Sequence, residues 1–225
     1  MKKRILTLIF SLLSLISFSY NYTLHDLAIA NKVSQIEKKP LLIYFASPEC
    51  IYCKKFESEV LSNKVFQTIL RGSYVFVKIT PDNNITEFFG KEYTNRELFA
   101  LFGVRGTPTF VFWNNNQVIT SVPGYMPEDI FIKALRYILR FIYSNIKISF
   151  EEYSKAADEF YGIPKIITVS KDEADFILKN DKNAVFISTL SEKDDKFALY
   201  ITEDNQIANK LIKSGVIRVL LINNK

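Results

Sequence analysis

The sequence predicts an α/β protein: a central mixed sheet flanked by helices over residues 20–145, then a small α/β unit over residues 150–225. Three observations predict it. An apolar run, Leu41-Leu42-Ile43-Tyr44-Phe45-Ala46, breaks at Ser47-Pro48-Glu49, and Cys50-Ile51-Tyr52-Cys53 then opens a helical pattern. Around that pair, helix-like and strand-like segments alternate in the order α-β-α-β-α-β-β-α. From Phe150 a helical stretch starts a second unit, which runs on as β-α-β-β-α-β.

Residues 23–39 read as an amphipathic helix, with Leu24, Leu27, Ala28, Val33 and Ile36 at helical spacing, and Pro40 starts the first strand. A helix is expected from Cys50 to about Ser62, burying Phe56, Val60 and Leu61; another helical stretch covers 63–70 and stops at Gly72. Residues 74–79 form the second strand, and Pro81-Asp82-Asn83-Asn84 opens a polar stretch leading into a helix over 95–102. Residues 108–113 and 117–122, joined by Asn114-Asn115-Asn116, give a β-hairpin signal. A helix over 127–143 closes the unit with Ile130, Phe131, Ala134, Ile138 and Phe141 facing inward. In the C-terminal part, helices are expected over 150–161, 171–180 and 204–214, and strands over 165–169, 184–188, 197–201 and 216–222.

Cys50 and Cys53 are the only cysteines. A strand, a short turn and Cys-x-x-Cys at a helix start is how a redox-active dithiol is built. The first thiol meets the unpaired N–H groups of the helix end, which favour thiolate. The second, one turn on, can attack a mixed disulfide and release the substrate. A zinc site needs about four ligands, but there is no third cysteine and the only histidine, His25, is far upstream. Covalent haem attachment wants histidine after the second cysteine, where Lys54 stands. A structural disulfide closing so small a loop would constrain little of the unfolded chain. The reading is therefore a dithiol without metal or organic cofactor.

Hydrophobic residues make up 48% of the chain, enough for a real core, and Gly and Pro are scarce. The formal charge is +5, but Lys2, Lys3 and Arg4 belong to a segment expected to be removed, which leaves 26 basic against 24 acidic residues. That balance gives nucleic-acid binding no support. Residues 1–19 read as a signal peptide: a basic start, an apolar stretch over 5–18, and Ser17-Phe18-Ser19 as a cleavage site. The stretch is short of the roughly 20 residues that span a bilayer. Export to a periplasm is the expectation, and retention as an N-terminal anchor facing the same compartment is the alternative. In an oxidising compartment, a lone Cys-x-x-Cys is better suited to exchange than to bracing.

Three segments in register carry a family resemblance: Ala46-Ser47-Pro48-Glu49-Cys50-Ile51-Tyr52-Cys53, Gly103-Val104-Arg105-Gly106-Thr107-Pro108-Thr109 and Val122-Pro123-Gly124-Tyr125. Residues 22–143 resemble a thioredoxin-fold protein, and within that group the exported SoxW-type thioredoxin-related proteins. The resemblance implies a cis peptide bond before Pro108, facing the dithiol, with Thr107 offering its backbone to an extended substrate strand. It also implies that Gly124 lets a substrate backbone approach from the other side, with Tyr125 beside it, although a plain turn glycine fits the local sequence nearly as well. Tyr52 flanks the thiols, as aromatics do in disulfide isomerases and glutaredoxins. By the same comparison, residues 83–96 are longer than in a minimal thioredoxin; with Phe88, Phe89 and Tyr93 they pack over the sheet edge, or else cap the site or bind a partner.

Two departures stand out. Glu49 occupies the place of the tryptophan before the first cysteine, and Tyr44 that of the buried acid which accepts the second thiol's proton. A phenol titrates near 10, so Glu49, Glu57, Lys54 or water must take that proton. Glu49 opposes thiolate at Cys50, whereas Lys54 and Lys55 favour it. In the C-terminal part, the segments from Ile167 to Ala174 and from Leu211 to Val216 resemble rhodanese domains, but no cysteine follows Tyr200-Ile201-Thr202. Such a unit would be catalytically dead, serving packing or partner binding. The expected function is an exported thiol–disulfide oxidoreductase, a reductase of protein or small-molecule disulfides recharged by a membrane-bound or soluble thiol donor. The alternatives are an oxidase or isomerase, or a non-catalytic binding module.

Overall fold

The computed structural model describes residues 20–191 and 194–223, so the signal segment expected over 1–19 lies outside the described residues. Strand β1 (Leu41–Phe45) is buried at every position, which a strand covered on both faces requires. It pairs in parallel with β2 (Val75–Ile79) and antiparallel with β5 (Thr109–Asn114), and β5 pairs with β6 (Gln117–Pro123). The sheet order is thus β2-β1-β5-β6, a mixed sheet as expected.

Helix α1 (Leu27–Glu37) starts later than residue 23, because the Asp26 side chain caps it by accepting the Ile29 N–H. Leu24 instead extends along β2, donating to Phe76 O and accepting from Lys78 N, both at 2.9 Å, and so covers that sheet edge. Helix α2 (Ile51–Lys55) passes into a π-helical turn (Phe56–Val60) that buries Phe56 and Val60. Helix α3 (Lys64–Ser73) follows, capped by Asn63.

The stretch read as a polar connection contains a two-stranded hairpin, β3 (Ile85–Phe88) and β4 (Lys91–Thr94), before helix α4 (Asn95–Leu101). Its loop residues, Phe89 and Gly90, both have positive φ, the geometry of tight hairpin turns, but Phe at the first of them gives no turn signal in sequence. Phe88 is buried against Trp113 with ring centroids 5.7 Å apart, and Thr86 bonds Asp26 at 3.1 Å, so the hairpin packs over α1 and the sheet. Helix α5 (Glu128–Ser144) buries Phe131, Ala134, Leu135, Ile138 and Leu139. Phe141, expected inside, is 47% exposed, because the inward stripe set by Phe131 passes through Leu135, Ile138 and Leu139 instead.

The helix expected over 150–161 is only α6 (Phe150–Tyr153). Asp158 ends it: its carboxylate takes two 2.9 Å bonds from Arg140, one of 2.6 Å from Tyr153 and the Phe160 N–H, tying the following segment to α5. The Arg140 bonds hold this carboxyl down at about 2. Then come β7 (Lys165–Val169), α7 (Lys171–Asn180), β8 (Ala184–Phe186), β9 (Leu199–Thr202), α8 (Asn205–Lys213) and β10 (Arg218–Ile222). Their four strands form a parallel sheet, β7-β10-β9-β8. Strand β8 ends earlier than expected and β9 begins later.

The two sheets share packing. One apolar cluster runs from Ala30 and Val33 of α1 through Ala174 and Ile177 of α7 to Leu199 and Leu220. A Cβ on Gly72 would come within 2.9 Å of the Phe197 ring, so only glycine fits that approach without displacing the ring. Fully buried Glu37 lies beside Lys39 at the same junction, with its Oε2 2.8 Å from Lys39 Nζ. Burial pushes the Glu37 carboxyl up to about 8, against the pull of Lys39. The folded chain keeps this proton over a range where the unfolded chain has lost it. Stability therefore falls as pH rises from 4.5 toward about 8. Urea denaturation from pH 5 to 8 should show that fall, and Glu37→Gln should flatten it by on the order of 1–2 kcal/mol. Parallel curves for the two proteins would remove Glu37 as its cause.

Candidate active site

Beyond β1 the chain leaves the sheet through a bond from Ala46 N to Ile79 O and turns over Ser47, Pro48 and Glu49. Cys50 then caps α2 in an extended conformation, φ −74° and ψ 111°. It is disulfide-bonded to Cys53, with Cα atoms 5.2 Å apart. The Cys53 N–H donates to Cys50 Sγ at 3.0 Å, so the first sulfur sits where a helix end stabilises negative charge. Cys50 is partly exposed and Cys53 only 2% exposed. One sulfur faces substrate and the other waits inside.

The loop carrying Thr107 closes on this pair from across the sheet. The Thr107–Pro108 peptide bond is cis, and the Thr107 carbonyl oxygen lies 3.2 Å from Cys50 Sγ. Gly124 donates its N–H to Pro108 O at 2.8 Å and has φ +91°, a conformation that side chains disfavour. Tyr125 follows with its ring 6.4 Å from Tyr52. Its hydroxyl donates to Glu59 at 2.7 Å, and that bond pushes the phenol up to about 12. Lys55 Nζ lies 4.6 Å over the same ring. The two tyrosines therefore form a braced aromatic wall beside the dithiol, next to Ile51, which is 78% exposed.

Cys50, Cys53, Thr107, Pro108, Gly124, Tyr125 and Tyr52 are thus gathered in one place. Glu49 and Lys54 stand on different sides of it. Glu49 is exposed and accepts from Ser47 Oγ at 2.8 Å, which holds its carboxyl below the usual carboxylate range. Lys54 lines a cleft of about 560 Å³ on the far side of α2, with Glu57, Lys78 and His25.

Tyr44 lies buried between the rings of Phe76 and Phe110, at 6.1 and 5.2 Å, and its hydroxyl reaches out of that stack. It lies 3.1 Å from Glu57 Oε1 and 3.4 Å from the Cys53 carbonyl oxygen. Burial, and then the Glu57 charge, push the phenol far above its ordinary range, so the hydroxyl keeps its proton. Lys78 Nζ binds the same Glu57 oxygen at 2.6 Å. Sequence reasoning missed Lys78 and Glu59, and it assigned Lys55 to the Cys50 thiolate rather than to Tyr125 and Glu59. The spacing Lys55–Glu59 was a signal for one pair; nothing local pointed to Lys78, which strand pairing places opposite Tyr44.

A family model described as a thioredoxin-like domain matches residues 27–139. The chain belongs to that family. Similar solved structures include a thioredoxin-fold protein from Helicobacter pylori, 21% identical with TM-score 0.49, covering 62% of this chain and 90% of that one. A thioredoxin from Thermus thermophilus is 25% identical with TM-score 0.44, covering 53% and 88%. A DsbH oxidoreductase is 19% identical with TM-score 0.37, covering 50% and 84%. No curated protein matches the chain. A thioredoxin-like domain with this Cys50–Cys53 pair is a thiol–disulfide oxidoreductase. Removing one wall with Tyr52→Ala should raise KM for an extended disulfide peptide about fivefold and leave kcat within about twofold. The rate with a small aryl disulfide, which needs no wall, should stay unchanged.

Proposed function

We propose that the protein is an exported disulfide reductase in which Cys50 is the attacking nucleophile and Cys53 the resolving thiol. The observation that carries this reading is the asymmetry of the pair: the sulfur at the helix end beside the Thr107 turn is accessible, while its partner is buried. Thr107 and Pro108 dock the substrate backbone from one side and Gly124 from the other, with Tyr52 and Tyr125 against its side chains. Export rests on the apolar stretch over 5–18. Among the described residues no helix is long and apolar enough to cross a membrane. Residues 20–145 act as the exchange unit, and residues 150–225 as a packing or partner-binding platform akin to a rhodanese domain without its cysteine.

The reducing direction has a physical basis in Glu49. A strong oxidant stabilises its reduced, thiolate form. Here an ionised carboxylate adjoins the Cys50 backbone and opposes thiolate. Lys55 is turned toward Tyr125 and Glu59, and Lys54 toward the cleft, so neither is committed to Cys50. The resemblance to SoxW-type proteins agrees, and a thiol carrier, membrane-bound or soluble, would recharge the dithiol.

Equilibration of Cys50–Cys53 with a thiol buffer should give a potential near the thioredoxin value of about −270 mV, together with insulin reduction. Glu49→Gln should move that potential toward the oxidising side. A value near about −120 mV would sink the reductase reading in favour of an oxidase. A pair that neither turns over nor accepts electrons would leave a binding module. Cys53→Ser protein should accumulate mixed disulfides through Cys50.

A further inference from the structure

We propose that the cleft behind α2 binds a small organic anion carrying at least two negative groups, a phosphate ester or a polycarboxylate, and that the bound anion bridges the thioredoxin-like part and the C-terminal unit. The cleft measures about 560 Å³, within the roughly 300–1,000 Å³ of small-molecule sites and more than a lone inorganic ion fills. It has no part in the exchange reading above, which concerns the other side of α2. Lys54 from α2, Lys78 from β2 and Lys182 from the turn after α7 all line it, together with His25 from the segment beside β2. Among the described residues one carboxylate, Glu57, faces these three ammonium groups in the cleft.

That carboxylate is already engaged. Glu57 Oε1 takes Lys78 Nζ at 2.6 Å and the Tyr44 hydroxyl at 3.1 Å. Among the described residues the side chains of Lys54 and Lys182 have neither a hydrogen bond nor an ion pair. Asp181, the residue before Lys182, does not serve it as a counter-ion. Its carboxylate accepts the Asn183 N–H at 2.8 Å, and the residue lines a separate, much smaller cavity with Arg71. Two cations therefore share one cleft with no negative partner of their own, and a cleft of one charge sign concentrates counter-ions. Tyr20, Phe76 and Leu61 also line it but are themselves buried, so a ligand meets mainly polar and charged groups there.

The cleft is held from separate elements. Leu24, next to His25, is fixed to β2 through Phe76 O and Lys78 N, both at 2.9 Å. Lys54 donates its N–H to Cys50 O at 3.1 Å in the first turn of α2. Lys182 is carried by the turn that Asn183 fastens to Arg71 through two 3.1 Å bonds. Two uncompensated cations call for two negative charges, which sets the charge of the ligand. Lysine presents three rotatable donors and no fork, which suits the oxygens of phosphate and carboxylate groups alike. Because Lys54 belongs to α2 and Lys182 to the C-terminal unit, a ligand touching both ties the two together, and binding to the folded state alone stabilises it.

Calorimetric titration of the full-length protein, in its disulfide form and at one fixed ionic strength, tests this with citrate, fructose 1,6-bisphosphate and sodium sulfate as probes. Saturable one-site binding of citrate or of the bisphosphate is expected, and the tighter of the two tells carboxylate from phosphate. Lys54→Gln and Lys182→Gln should each weaken that binding about fivefold. Glu57→Gln removes the opposing charge and releases Lys78, so it should tighten binding about threefold. Lys91→Gln, on β4 and outside the cleft, should leave it unchanged. The bound probe should also raise the melting temperature, and less so in Lys182→Gln at the same concentration. No saturable binding of either organic anion, sulfate binding equally well, or an effect of Lys91→Gln as large as that of Lys182→Gln would overturn the site. Binding weakened by Lys54→Gln but not by Lys182→Gln would overturn the bridge between the two units.

Discussion

Strand β1 is buried at all five positions, between helices on both faces and strands on both sides, and the rest of the protein is arranged around that constraint. A strand in that position delivers its C-terminal end to a fixed point, and the dithiol begins five residues beyond it. It also limits which polar groups the strand itself can carry. A carboxylate at position 44 would need its charge compensated inside a stack of aromatic rings. Tyrosine places an apolar body in the stack and only a hydroxyl at the edge, where it finds Glu57. The charge sits one layer out, on the helix, partly exposed and paired with Lys78.

Two carboxylates on the chain flanking the dithiol, Glu49 and Glu57, have separate partners. Glu49 stands on the exposed turn ahead of Cys50 and raises the cost of negative charge there. Glu57 stands one turn after Cys53 at the edge of the cleft, where it holds the Tyr44 hydroxyl and Lys78. The π-helical turn at Phe56–Val60 belongs to the same arrangement: Leu61 N bonds Phe56 O at 2.9 Å, and Phe56 and Val60 both point into the core while Glu57 stays at the cleft. Lys55 and Glu59, on the outer side, brace Tyr125.

The parts of this structure legible in sequence are those in which one local pattern dictates one outcome. Leu41 to Phe45 could only be a buried strand, and Cys50-Ile51-Tyr52-Cys53 after it could only open a helix. Strand β7 and helix α7 begin and end as expected, helped at α7 by a capping box, Ser170 with Glu173. Sequence reasoning failed where distant residues overrule local preference. Residues 154–161 carry a helical pattern, but Asp158 is claimed by Arg140 and Tyr153. Phe89 is an improbable turn residue held in place by packing on Phe88 and Trp113, with centroids 4.5 and 6.0 Å away. The role of Lys78 depends on strand register, which spacing along one segment does not reveal.

The C-terminal sheet is joined to the thioredoxin-like part by bonds to the last turn of α3. Asn183, just after α7, accepts from Arg71 Nε and donates to Arg71 O, each at 3.1 Å, clamping the last turn of α3. Arg71 also pairs with Asp195, and Ser73 donates to Tyr161 O at 2.6 Å. Lys182, the residue before Asn183, lines the cleft that exposes Glu57. Because Asn183 is buried and doubly bonded to Arg71, the backbone that carries Lys182 is anchored at the cleft rim. The C-terminal unit thus contributes a cation to the cleft behind α2 without any cysteine of its own. A displacement of that sheet would change the charge in the cleft and the clamp on α3 together, because Lys182 and Asn183 are neighbours in the chain.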